Sequence, residues 1–150
     1  MRFACNTKEL SKACQTVSRA AAKSANVQAL LGVKFSVADG RVGLCGYNLQ
    51  FGISTLLPVA GAEEDGDTVI EAKTLCNIVK KLPAVSTSIY SDGNAATIES
   101  GNAQYKISAI PAIEFPEAPD IGDVTSVQIP KSKLKDMLHQ TLFAVNEANT

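Results

Sequence analysis

The stretch from Asn6 to Lys23, NTKELSKACQTVSRAAAK, constrains the fold more than any other part of the chain. Leu10, Ala13, Cys14, Val17 and Ala21 follow the i, i+3, i+4, i+7 spacing of one helix face. Lys8, Lys12, Gln15, Arg19 and Lys23 fall on the opposite face. Asn6 has the chemistry of an N-cap, and Glu9 three residues on completes the pattern of a capping box. A helix divided in this way must lay its apolar stripe on another apolar surface and turn a row of positive charge outward. Lysines on a helix surface are ordinarily just solvated, so the row alone names no ligand.

What the row means depends on where the rest of the charge lies. The net charge is −1, which excludes a general basic coat. A second helical stretch, Ala72 to Leu82, carries Lys73, Lys80 and Lys81 and no acid. Its apolar stripe is Leu75, Ile78, Val79 and Leu82, and Pro83 ends it. Lys80 and Lys81 also suit a last turn, where cations complement the helix dipole without any ligand. The remainder of the chain is therefore net acidic. Positive charge gathered on two helices makes a local field. Aromatic residues are only 5% and Trp is absent, so no stacking platform for single strands is evident. Any nucleic acid on these faces is expected to be a duplex held by its backbone, without base readout.

Between and after the helices the pattern is that of strands. Arg2 to Cys5, Leu30 to Val37, Arg41 to Tyr47, Leu49 to Val59, Thr68 to Ile70, Val85 to Tyr90, Ala95 to Glu99 and Gln104 to Ile110 all read as strand. Asp39-Gly40 marks a hairpin, as do Asp92-Gly93-Asn94 and Gly101-Asn102. Gly61 to Asp67 reads as an acidic surface loop. From Pro111 to Val124 three prolines and several acids, with no period, read as a linker across a domain boundary. Beyond it the opening returns: RFACNTKELSKACQTVSRAA aligns without gaps on VQIPKSKLKDMLHQTLFAV, each a short strand followed by an amphipathic helix. The expectation is an α+β chain of repeated domains. Residues 1–120 form the first, and 121–150 hold the linker and the beginning of a second.

The sequence offers little to a catalytic or metal reading. Gly40, Gly43 and Gly46 lie in a hairpin rather than before a helix, so they make no phosphate loop. Cys5, Cys14, Cys45 and Cys76 are scattered among apolar neighbours with no CxxC, and read as reduced core thiols. A hydrolase using Cys76 or Cys45 with His139, the only histidine, is a remote rival. Glu63, Glu64, Asp65 and Asp67 lack an EF-hand pattern and read as a solvated turn. No catalytic residue, metal ligand or cofactor is assigned. No apolar run is long enough to cross a membrane, and Phe3 to Leu10 is too polar for a signal peptide, so a cytoplasmic protein without a membrane partner is expected.

Four stretches together resemble one family. MRFACNTKELSKACQTVSRA, VADGRVGLCGYNLQFGIS, IEAKTLCNIVKKLP and SGNAQYKISAIPAIEFPEAP are similar to the bacterial DNA polymerase III beta subunit, the sliding clamp. The resemblance covers the first domain nearly end to end. It implies the DNA-clamp fold, two helices packed on antiparallel sheet, in a chain of three similar domains. Two such chains close head to tail into a ring whose helices line the hole. It implies a homodimer, double-stranded DNA as partner, and contacts to the polymerase III core and clamp loader through later domains. Processivity without catalysis is the implied function.

Carried onto this chain, the resemblance implies DNA contacts at Lys12, Arg19, Lys23, Ser24, Lys73 and Lys80. It implies a ring joint at Thr74, Asn102, Gln104, Tyr105 and Ile107. Two departures stand out. Ser24 takes the place of a basic residue usual in the loop after the first helix, and Asn102 and Gln104 replace two common arginines. The rival reading is a module that uses its sheet edge to bind a protein and never meets DNA.

Overall fold

A computed structural model of the chain describes residues 1–117 and 127–145. The chain divides into two units, Met1–Ala118 and Pro119–Thr150. The first contains two antiparallel sheets and two helices. Its elements run β1 (Arg2–Asn6), α1 (Thr7–Val17), β2 (Gly32–Ala38), β3 (Arg41–Tyr47), β4 (Gly52–Leu57) and β5 (Val59–Glu64). They continue with β6 (Gly66–Glu71), α2 (Ala72–Val79), β7 (Ser86–Ser91), β8 (Ala95–Ser100) and β9 (Ala103–Ser108). One sheet has the order β5-β1-β7-β8-β9 and the other β4-β3-β2-β6. The second unit contains α3 (Lys131–Leu142).

Alternation explains which strand faces are buried. Phe3 and Cys5 on β1, Val33, Phe35 and Val37 on β2, Val42 and Leu44 on β3, and Ile89 and Ile98 on β7 and β8 share one core with the apolar stripes of the helices. The rings of Phe3 and Phe35 stack with centroids 6.1 Å apart, joining the two sheets at the centre. The buried hydroxyls of Thr7 and Thr87 satisfy each other at 2.7 Å.

The unit is built twice from one plan, β1-α1-β2-β3-β4 and β6-α2-β7-β8-β9. Each half gives its first strand to the other half's sheet: β1 pairs β7, and β6 pairs β2, both antiparallel. The registers correspond. Cys5 opposite Thr87 answers to Ile70 opposite Val33, and Asn6 opposite Ser86 to Glu71 opposite Gly32. Val37 opposite Val42 answers to Ser91 opposite Ala96, and Leu44 opposite Thr55 to Ile98 opposite Tyr105. Reciprocal exchange of this kind is what a two-fold rotation produces. Its axis runs between α1 and α2. The strand β5 stands outside the plan, linking the halves along the edge of β1.

Several expectations are corrected. The first helix stops at Val17 rather than near Lys23; a 3₁₀ turn, Ser18–Ala20, follows, and Ala21 is extended. The alanine run favours helix, but Ala22 and Ala25 instead pack on a second small cluster of Ala29, Leu30, Tyr47, Val69 and Phe115. The Ala22 N–H donates to the Leu30 carbonyl at 2.8 Å. Burial there outweighs local propensity. The second helix likewise ends at Val79, short of Leu82. The reading of Leu49 to Val59 as one strand fails because the chain changes sheets at Pro58, between β4 and β5; proline has no N–H for a ladder. The Asn48 side chain accepts from the N–H groups of Gln50 and Phe51, holding those residues in a turn.

The acidic stretch Gly61 to Asp67 is not a loop: β5 extends to Glu64 and β6 begins at Gly66. Its acids find cations across strands, Arg2 with Glu63 at 3.0 Å and Lys34 with Asp67 at 3.2 Å. Charge on an edge strand is a usual defence against unwanted pairing, and that use resembles a loop in composition. The strand expected at the head of the second repeat is not formed: residues 127–130 precede α3 without a ladder. A strand exists only against a partner, and no described residue pairs with these.

Candidate nucleic-acid interface

The basic surface begins with the packing of α1 against α2. Leu10, Cys14 and Val17 are buried from one helix, Leu75 and Val79 from the other, and Ile78 is half-buried. The Cys76 thiol reaches across and donates to the Cys14 carbonyl at 3.7 Å. With both stripes turned inward, the outer faces of the two helices form one layer. Lys8, Lys12, Gln15 and Arg19 are exposed on α1 and the 3₁₀ turn after it, Lys73, Asn77, Lys80 and Lys81 on and after α2.

The helix starts set the position of these side chains. Asn6 caps α1, its side-chain oxygen accepting from the N–H groups of Lys8 at 2.9 Å and Glu9 at 3.4 Å. Glu71 occupies the equivalent place before α2, and its carboxylate accepts from the Thr74 hydroxyl. A groove of about 400 Å³ opens where the end of the first helical segment meets α2, lined by Ser18, Ala21, Lys23, Lys73, Cys76 and Asn77. Lys23 and Lys73, far apart in sequence, thus meet on one groove. Ser24 is exposed immediately after Lys23. Since the helix ends at Val17, Arg19 and Lys23 owe their place to the 3₁₀ turn and the extended segment, not to a continuous helix face.

These cations stand in solvent, where each contributes a screened, long-range field. The acids nearest in sequence are Glu9 and Glu71. A surface of this kind can hold an extended polyanion by many weak contacts, and has no enclosed centre for chemistry. Cys5, Cys14 and Cys45 are poor nucleophiles. Burial, chiefly, pushes Cys5 up to about 12, and burial with the neighbouring thiols of Cys76 and Cys5 pushes Cys14 up further. Burial raises Cys45 as well, against the slight opposing pull of Lys34. A reactive cysteine requires the opposite shift. Among the described residues no helix is long and apolar enough to cross a membrane.

The residues assigned to a ring joint fall on β9, in the turn before it and at the start of α2, where Glu71 lines both the groove and a second cleft. β9 is an edge strand. Gln104, Lys106 and Ser108 point out along it, while Tyr105 and Ile107 are half-buried and pack partly on the unit's own core. A cleft of about 480 Å³ lies between this edge and the start of α2, lined by Glu71, Thr74, Lys106, Ile107, Ser108 and Ile110 among others. Thr74 and Ile107 are therefore brought together. Asn102 lies apart in the turn before β9, and Gln104 donates to Glu99 at 2.7 Å. Lys106 is a cation in this cleft that the sequence pattern did not single out. Only its alternation with Tyr105 and Ile107 could have marked it.

Comparison with known proteins bears on the family and the fold. Residues 1–119 match the family described as DNA polymerase III beta subunit, N-terminal domain. The Beta sliding clamp of Bacillus subtilis is 29% identical over all of this chain and 42% of its own length. That of Synechococcus elongatus is 34% identical over all of this chain and 40% of its own. Among solved structures, the DNA polymerase sliding clamp of Bacillus subtilis superposes with a TM-score of 0.89 at 28% identity, over 100% of this chain and 42% of that one. The DNA polymerase III beta subunit of Thermotoga maritima gives 0.87 at 27% identity, over 98% and 40%. The chain thus spans about two fifths of the length of the relatives it matches.

Proposed function

Because the chain belongs to the DNA polymerase III beta subunit family, we propose that it serves as the first domain and the start of the second in a ring-shaped sliding clamp. Two chains close head to tail into a ring in the cytoplasm. The ring encircles duplex DNA and tethers the replicative polymerase by topology. It performs no catalysis. Residues 1–120 are the first domain, and 121–150 hold the linker and the beginning of the next. Lys12, Arg19, Lys23, Lys73 and Lys80, with Ser24, face the duplex. The edge of β9 and the start of α2, with Thr74, Asn102, Gln104, Tyr105 and Ile107, face the neighbouring chain. The polymerase core and clamp loader bind later domains.

The observation that carries this reading is the single cationic layer made by two adjacent helices on a chain whose net charge is −1. A processive tether must hold DNA without reading it. Exposed lysines give that: they attract phosphates, release counterions and make no base contact. The test is duplex binding by the assembled ring as a function of salt. Arg19→Ala with Lys73→Ala should leave the fold intact and reduce the log-log slope by about 2 per chain, at roughly 0.9 per phosphate contact. An unchanged slope would favour the sheet-edge interaction module.

A further inference from the structure

The two-fold plan of the first unit assigns a partner to Lys73. Asn6 and Glu71 are the corresponding N-caps, standing opposite Ser86 and Gly32 in corresponding registers. Counting from each cap, Leu10 answers to Leu75, both fully buried, and Lys8 answers to Lys73. Both lysines occupy the second position of their helix, and both are exposed. Among the described residues neither forms an ion pair.

That position is electrostatically unfavourable. The first turn of a helix carries the positive end of its dipole and attracts acids, not cations. Neither helix has a basic residue within its last turn, and α2 alone is followed directly by one, Lys80 at its C-cap, where the dipole welcomes it. The same misplacement on two symmetry-related helices is not explained by helix stability, and a polyanion lying across both starts would explain it.

We infer that Lys8 is a further phosphate-contacting residue, the two-fold mate of Lys73, and that the pair engages the two strands of the duplex equivalently. This rests on the reading of the helix layer as a DNA surface. The backbones of a duplex are themselves related by local two-fold axes perpendicular to its length, and paired protein elements are commonly matched to that symmetry. A domain whose two-fold axis passes between α1 and α2 can meet such an axis with one lysine on each strand. The match needs no particular base sequence.

The experiment compares single variants of the closed ring, with its remaining domains in place, for binding a duplex of mixed sequence across a salt series. Lys8→Ala should reduce the log-log slope as much as Lys73→Ala does, by about 0.9 for each phosphate left without its lysine. Lys8→Arg should retain it. Lys34→Ala, on a strand and paired with Asp67, should leave it unchanged, which separates a local effect from net charge. If Lys73→Ala lowers the slope and Lys8→Ala does not, the paired-strand inference is overturned while the DNA reading stands. If neither lowers it, both fall. An equal reduction from Lys34→Ala would also overturn the inference, since charge anywhere on the chain would then suffice.

Discussion

At position 46, β3 passes so close beneath the end of α1 that a Cβ would collide with the Val17 carbonyl. The obstacle is backbone, which cannot swing aside as a side chain would. Gly46→Ala should therefore cost about 1–3 kcal/mol, the usual penalty of overpacking. It should be read as a lower urea midpoint with an unchanged far-UV spectrum. In the sequence Gly46 is one of three hairpin glycines, and nothing in their spacing separates it from Gly43; the contact that distinguishes it comes from another element. Cys5 carries a second prediction. Its thiol rises from 9.0 to about 12 on folding, mainly through burial. Between those values the unfolded chain has lost the proton that the folded chain keeps, so stability falls as pH rises. Its contribution is complete below about pH 9 and is lost progressively towards 12. Cys5→Ala should flatten that part of the stability–pH curve, measured by urea unfolding at a series of pH values rising from neutrality through this window.

The helices show how far periodicity carries at the scale of an element. The 3.6-residue spacing placed Leu10, Cys14 and Val17 inside and Lys8, Lys12 and Arg19 outside, and the structure has them so. It could not place the end of α1, because the departure at Ser18 is decided by where Ala22, Leu30 and Phe115 pack. On β9 alternation puts Tyr105 and Ile107 on one side, half-buried, leaving Gln104 and Lys106 exposed. Exposed edges are templates for pairing with another chain. Tyr105→Ala should weaken dimerisation of the complete clamp more than Lys73→Ala, by sedimentation at several concentrations. Because Tyr105 also touches the unit's own core, the comparison needs the thermal midpoint of each variant. Weaker dimerisation without a matching fall in the midpoint identifies the joint.

For the whole molecule, the ring and its cargo should respond differently to salt. The proposed joint has neutral Asn102 and Gln104, so it should rest on backbone pairing and apolar contact, which ions do not screen. At 1 M salt, where the Debye length is about 3 Å, the dimer should persist in sedimentation while duplex binding disappears. A dimer that dissociates as salt rises would show that charge, with Lys106 the first suspect, holds the joint. The α+β composition, the buried faces, the segregation of positive charge onto two helices and the family were all legible in the residues alone. The first three depend on local periodicity and residue chemistry, which the chain carries wherever it folds; the family was read from the resemblance of four stretches. It took the folded chain to show that β4 and β5 belong to different sheets and that β1 and β6 are exchanged between halves. Strand pairing over such distances is set by register and shared burial, and no residue carries a signal for its distant partner. The same holds for Lys23 beside Lys73 and for Lys8 as its mate. Their relation is a property of how two halves close on one another, so it came into view only with the fold.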